Sequence, residues 1–551
     1  MKKPAALGLA GVVVALAVTV APASAQRAPT AQGAPTLVQA SKVGPSRGGP
    51  ALGPYGYLPL HARDYARAKA AANARAGVKA ASPNRPPRGG GGPIVSSYPN
   101  VSPSFNGTYS TGGTPPDTTG AIGPDRYIET VNTQYAIYSR AGSLVNSGSL
   151  SSLTGISGGL FGYSLSDPQM MWDAKTQRFY YSAVYYDFFL SDNGLAVGWS
   201  KTATPASSND FCKYAIQFGS ELPDYPKLGD SSDFLLYGFN QFFFGSSYDG
   251  SAFITLNKPP AGTTCPSTSA FSVHTSGALQ NVDGSPASTP VPANLVDDSN
   301  GAGYVVANAD LSTTQSANFA SVYSVTTNGT DANGIPLPSM SGPANVPVSS
   351  YSMPPSAPQS GSSYLLDTLD GRFEAAVAAV DPGQGNRMAV WTAHAVFGGA
   401  GSEERWYEID PNAGSLIQSG VVTSPSLFIW NGAVSPDRAS NGAVGAFGDS
   451  MAMSVSTSSP TAYPAIQLVW KHGASAQSAL TNLIQATGAD VDLSCSSTTP
   501  CRWGDYSGAS PDPAATGAVG KIWLGNQYNV AGGTTSSTAW RTWLFGVTPT
   551  G

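Results

Sequence analysis

The chain has 551 residues, 41% hydrophobic and 11% charged, and a formal net charge of −5. An acidic balance of this kind excludes nucleic acid as the main partner, because phosphate binding rests on a basic surface. No apolar run reaches the roughly 20 residues that a membrane helix needs, so no membrane span is expected.

The N-terminus reads as a secretory signal. Lys2 and Lys3 are followed by an apolar run over residues 7–20 and by Ala23-Ser24-Ala25, which places cleavage before Gln26. A signal peptide over residues 1–25 implies a secreted protein, extracellular or periplasmic. Residues 26–94 carry ten Lys or Arg against the single acid Asp64. This stretch is rich in Pro, Gly and Ala and is expected to be a disordered, basic leader, either propeptide or linker. Residues 62–81 contain helix formers with almost no apolar face, so a helix there would be marginal. The Pro- and Gly-rich run 82–93 closes the leader, and a domain boundary is expected near residue 95.

Residues 95–551 hold 16 basic residues against 32 acidic ones, and their texture is different. Short aromatic and β-branched runs such as 126–131, 178–184 and 234–239 are cut by turn signals, which predicts an all-β domain. A turn unit with Asp, Pro, Gly or Asn recurs seven times, at 123–125, 172–174, 229–233, 297–301, 381–383, 435–437 and 511–513. One such unit per small sheet predicts a single β-propeller over 95–551, with seven blades of four antiparallel strands; six or eight blades also fit. Cys495 and Cys501 are close enough for a local disulfide, leaving Cys212 with Cys265. His61, His274, His394 and His472 are scattered, so no metal site is expected. No cofactor is implied, although 297–301 and the pair Asp490 and Asp492 offer oxygen ligands for calcium.

Pro115-Pro116-Asp117-Thr118-Thr119-Gly120, Pro223-Asp224-Tyr225-Pro226-Lys227-Leu228-Gly229, Arg405-Trp406-Tyr407-Glu408 and Arg502-Trp503-Gly504-Asp505-Tyr506-Ser507 occur in that order. In these motifs the chain resembles secreted bacterial sialidase-like β-propeller proteins. The resemblance implies fold and export, and it carries no settled reaction. A true sialidase repeats Ser-x-Asp-x-Gly-x-x-Trp; Ser247-Tyr248-Asp249-Gly250 departs from that spacing and has no second copy.

Propeller ligands sit at the hub, and the same motifs supply polar groups for it. Asp117, Asp224, Lys227, Arg405, Tyr407, Arg502 and Trp503 are candidate ligand-binding residues. Glu408, Asp505, Tyr506 and His394 are the candidates for acid/base work. Each also has a structural reading as a turn former, a clasp or a packed side chain. The function expected is recognition of an extracellular glycan or cell-envelope polymer by a monomer. The alternatives are a glycoside hydrolase or polysaccharide lyase acting at the hub, and a protein-binding adhesin.

Overall fold

A computed structural model describes residues 35–43, 59–80, 93–98, 100–156, 162–187, 192–243, 247–297, 301–439, 447–516 and 519–550. The expected signal peptide, most of the linker at 82–93 and calcium candidates 298–300 lie outside the described residues.

Seven small antiparallel sheets follow one another along the chain as the blades of a β-propeller. Blade 1 is Thr119–Ile122, Arg126–Val131, Gln134–Ser139 and Leu144–Ser149, each strand pairing with the next. Blades 2 to 6 begin with Ser164–Asp173, Glu221–Asp230, Ala287–Pro292, Ala376–Asp381 and Phe428–Pro436. Blade 7 takes Gly508–Pro511, Ile522–Asn529 and Trp540–Val547 from the C-terminal end and Val101–Tyr109 from the N-terminal side. The ring is therefore closed by strands from opposite ends of the domain.

The sequence pattern follows distance from the axis. Inner and second strands are covered on both faces by neighbouring blades, so the inner strand Phe428–Pro436 and the second strand Ile522–Asn529 are buried throughout. Outermost strands such as Leu144–Ser149 and Ser415–Val422 are largely exposed or half-buried and carry the polar residues. The core lies between blades: Tyr180, Trp199 and Tyr214 of blade 2 pack with Leu235, Tyr237 and Ile254 of blade 3.

Six of the turn units, at 123–125, 172–174, 229–233, 381–383, 435–437 and 511–513, fall at or just past the C-terminal ends of inner strands; the unit at 297–301 lies partly outside the described residues. Both disulfides form as paired in the sequence reading, with Cα–Cα separations of 5.5 Å for Cys212–Cys265 and 4.1 Å for Cys495–Cys501. The first ties the outer strand Phe211–Gly219 of blade 2 to a loop of blade 3. Among the described residues no helix is long and apolar enough to cross a membrane.

The leader differs from the expectation of a disordered segment. Thr36–Gln39 adds an edge strand to blade 2, and Ile94–Val95 adds one to blade 6. Ala62–Arg75 forms a helix, α1, that packs on the propeller. On α1 Lys69 and Ala72 are buried, and half-buried Tyr65 and Ala68 pack against the cluster of Leu311, Tyr351 and Met353. Tertiary contacts, polar and apolar, stabilise a helix that would be marginal alone.

Candidate functional site

The site is built by a feature that recurs around the ring. Asp117, Asp167, Tyr225, Thr289 and Asn431 have φ of 48°, 52°, 55°, 46° and 56°, and all stand in or just before inner strands. Positive φ is uncommon for a side-chain-bearing residue and strained for a β-branched or aromatic one. In blades 2, 3, 4 and 6 the pairing register shifts at these positions. The residue that follows is Pro168, Pro226, Pro290 or Gly432. A bulge of this kind re-aims side chains, and here it gathers the ionisable groups of different blades. Leu369, ahead of the inner strand of blade 5, has φ 55° and opens the turn that carries Asp370, Arg372 and Glu374.

Asp117 and the 502–506 turn are joined directly. The Asp505 backbone N–H donates to Asp117 Oδ1 at 2.7 Å, and Asn132 Nδ2 donates to Asp117 Oδ2 at 2.6 Å. Arg502 Nη2 pairs with Asp505 Oδ2. Tyr225 donates its hydroxyl to the Asp505 carbonyl at 2.7 Å and meets Tyr506 edge-on at 5.5 Å. The Lys227 ammonium lies 3.4 Å from the Tyr506 ring centre and 4.1 Å from that of Tyr225. Arg372 forms a two-pronged pair with Asp370 at 2.7 and 2.6 Å, and its guanidinium stands 4.5 Å from the Tyr225 ring centre.

Carboxylates outnumber cations here, and burial penalises every charge. Burial, with Asp167 adding to it against Arg502, pushes Asp117 up to about 6. Burial and the neighbouring Asp505 push Asp167 up to about 6 as well. Burial takes Asp505 up to about 7 against the pull of Arg502. Asp224 and Glu374 lie well above the usual carboxylate range for the same first reason. Burial brings Lys227 down to about 7 despite Glu374, Asp167 and Asp117. Lys227 Nζ, Asp505 Oδ1, Glu374 Oε2 and Glu404 Oε2 are buried polar atoms with no hydrogen-bond partner among the described residues.

Next to this cluster is an axial cavity of about 50 Å³, lined by 119–121, 169–171, 227–228, 291–292, 294, 374–377 and 507–510. It has room for water and not for a sugar ring, so a larger ligand would have to engage the polar cluster itself. That cluster is closed: Asp117, Lys227, Arg372, Glu374 and Asp505 are only 1–4% exposed. The segment over it is pinned by the Asp367 N–H to the Cys501 carbonyl at 2.9 Å and the Cys501 N–H to the Leu365 carbonyl at 2.7 Å.

Six candidates from the sequence thus come together: Asp117, Asp224, Lys227, Arg502, Asp505 and Tyr506. The others do not join them. Arg405 stands on the third strand of blade 5, Gly401–Asp410, paired with Glu403 and donating to the Ser349 and Ser350 carbonyls. Placing it and Tyr407 at the axis is therefore corrected. Strand alternation shows which residues share a face and not how far a strand lies from the hub. Tyr407 bonds His394 Nε2 at 3.0 Å, and His394 Nδ1 lies 2.7 Å from the Gly371 carbonyl. Burial holds this histidine near 3, so it braces the 369–374 turn as a neutral ring. Glu408 is buried on the same third strand, accepting from Gln418 at 2.5 Å and meeting Asp381 at the end of the inner strand. Trp503 is buried and donates to Ser456 Oγ at 3.0 Å.

Sequence reasoning missed Asp167, Arg372, Glu374 and Glu404. Asp167-Pro168 shares its pattern with Tyr225-Pro226 and Thr289-Pro290, and that repeat was the available signal.

No protein-family model matches the chain, and no curated protein matches it. Among solved structures, the Dos1 propeller is 12% identical with a TM-score of 0.36, over 81% of this chain and 94% of that one. An α-L-arabinanase of Penicillium chrysogenum complexed with arabinobiose is 10% identical with a TM-score of 0.32, over 81% and 98%. An α-L-arabinofuranosidase of Fusarium graminearum is 11% identical with a TM-score of 0.31, over 81% and 93%. At these identities and scores the likeness concerns the fold alone.

Proposed function

We propose that this is an exported β-propeller that recognises a hydroxyl-rich extracellular polymer, a glycan of the cell envelope or surroundings, at its hub. The observation that carries the reading is the set of four buried atoms without a hydrogen-bond partner among the described residues, Lys227 Nζ, Asp505 Oδ1, Glu374 Oε2 and Glu404 Oε2, within one polar cluster. Buried donors and acceptors left without partners are costly unless a ligand or water completes them. Tyr225 and Tyr506 add apolar faces for stacking on a sugar. Arg372 and Arg502 are already committed to Asp370 and Asp505, which favours a neutral glycan over a sialate or uronate. The two disulfides fit an oxidising compartment, and the chain is taken to lose residues 1–25 on export and to act as a monomer.

A glycan array of neutral, amino and acidic sugars tests the reading, with Asp505→Asn alongside the parent. Preferential retention of a neutral glycan, weakened about tenfold or more by the substitution at a melting temperature no lower than the parent's, is the expected result. Binding that persists while stability falls would make the Arg502–Asp505 pair a clasp. Capture of proteins in place of sugars would favour an adhesin.

A hydrolase is the second reading, favoured by Asp117 and Asp167 near 6 and Asp505 near 7. Carboxyl groups that titrate close to neutrality suit general acid catalysis on a glycosidic bond. Release of reducing ends from an array hit, with a bell-shaped pH profile, would select it over simple binding.

A further inference from the structure

α1 is fixed to the propeller along one edge and stands clear of it along the next. Tyr65, Lys69 and Asn73 are spaced four residues apart and share a helix face. Tyr65 donates to Asp367 Oδ1 at 3.1 Å, and Lys69 Nζ to Thr368 Oγ1 at 2.7 Å. Asn73 Oδ1 accepts from the Ser356 N–H at 2.8 Å. Tyr65 and Ala68 also pack against Leu311, Tyr351 and Met353. Ser356 and Thr368 are themselves buried, so the helix is a fixed wall.

Beside this contact a cavity of about 460 Å³ opens between α1 and the propeller. That volume lies within the range of sites that enclose small ligands. Its helix wall is Arg67, Ala68, Ala71, Ala72 and Arg75, one stripe whose ends are about 12 Å apart along the axis. Leu311, Met353 and Phe397 line it from the propeller, together with residues 312–315.

The lining selects the chemistry of an occupant. Among the described residues no acid lines the cavity, although 95–551 hold 32 acidic residues against 16 basic ones. Arg75 lies 3.9 Å from the Phe397 ring centre and donates to Ser352 Oγ at 3.3 Å. A guanidinium has five N–H donors, so Arg75 keeps others for an anion. Ser312, only 7% exposed, lines the same cavity, and its hydroxyl has no hydrogen-bond partner among the described residues. Such a group is costly unless water or a ligand completes it. The alanines, Leu311 and Met353 make the rest of the wall apolar.

We propose that the α1 cleft is a second binding site, for a straight-chain aliphatic monocarboxylate. Its carboxylate sits on Arg75, and its chain lies along Ala72, Ala71 and Ala68 over Leu311 and Met353. This site stands independently of the hub reading. Charge-assisted hydrogen bonds hold the carboxylate, and the chain gains by leaving water. A stripe of this length suits an extended chain better than a compact ring. Since α1 is already anchored, the cleft is preformed and little ordering opposes binding.

Calorimetric titration of the full chain with octanoate, decanoate and dodecanoate, each below its micellar concentration, tests the site. One carboxylate should bind per chain, more tightly as the chain lengthens, and should raise the melting temperature. Arg75→Gln should weaken dodecanoate by about tenfold to a hundredfold. Ala71→Trp fills the cleft at a residue that makes none of the anchoring hydrogen bonds, and it should abolish binding. Asp505→Asn, which alters only the hub, should leave it unchanged. Should Arg75→Gln loosen the helix, Ala71→Trp decides alone. Dodecanol bound as tightly as dodecanoate overturns the role of Arg75. Equal binding by the parent and Ala71→Trp, uptake of several carboxylates per chain, or no binding by any of the three overturns the site.

Discussion

Lys258 is buried between two carboxylates of neighbouring blades, 2.9 Å from Asp173 and 2.7 Å from Asp230. Arg438 and Asp297, at 3.0 Å, and Arg140 with Asp512 repeat the arrangement elsewhere in the ring. Each acid belongs to one of the seven turn units, so the feature that revealed the repeat is also an inter-blade clasp. Lys258→Met leaves two buried carboxylates without their cation and should lower stability by about 3–5 kcal/mol, read from the denaturant midpoint. The hub acids act in the opposite sense with pH. Unfolded aspartates titrate near 4, whereas Asp117 and Asp167 titrate at about 6 and Asp505 at about 7 when folded. Between those values the folded chain binds more protons than the unfolded one. Their contribution is therefore complete below about pH 4 and is lost as pH rises through 6 to 7. Melting temperatures from pH 4 to 8 should show this decline, with a shallower slope in Asp505→Asn. A parent curve no steeper than the variant's would mean that Asp505 is ionised in the folded hub.

Elements divide sharply in how well the sequence announces them. Strand ends were legible because Asp, Pro and Gly must sit where the chain reverses, whatever the tertiary context. The kinks were not, because Asp167-Pro168 and Tyr225-Pro226 look like ordinary turn formers until their strands are seen side by side. Helix α1 was legible only as helix formers in a leader expected to be disordered, and its contact was unreadable, since its docking depends on Asp367 and Thr368, some 300 residues away. Close approach between blades was equally hidden. A Cβ on Gly238 would lie 2.1 Å from the Pro290 carbonyl oxygen, which is backbone and cannot rotate away. Gly238→Ala should then cost about 1–3 kcal/mol, seen as a lower melting temperature. A neutral result would mean that blades 3 and 4 can slide apart.

At the scale of the whole molecule, repetition made the fold legible: seven turn units gave seven blades. Candidate residues lie together when they sit in motifs at the ring's inner edge, as Asp117, Asp224 and Asp505 do. Arg405 and Tyr407 belonged to an equally suggestive motif two strands further out, and radial distance leaves no mark on a short sequence. Limited proteolysis should stop before Val101, because that strand is part of blade 7. A stable product beginning beyond Tyr109 would mean that the ring survives open.

The closing strand also sets a clock. Thr108 and Thr542 touch across a separation of 434 residues, so one of the first strands made waits for nearly the last. At ordinary rates of synthesis that wait is roughly 20–90 s, and bringing the two ends together costs about 5 kcal/mol of chain entropy. Throughout the interval Val101–Tyr109 lacks the strand it pairs with in the ring. Its sequence suits that exposure: Pro103 removes a donor, and Ser102, Ser104, Asn106 and Thr108 alternate along it, discouraging pairing with other chains. The last event in building the ring is thus the return of this strand to its place beside Trp540–Val547, and any chain cut short before that sequence has nothing to close upon.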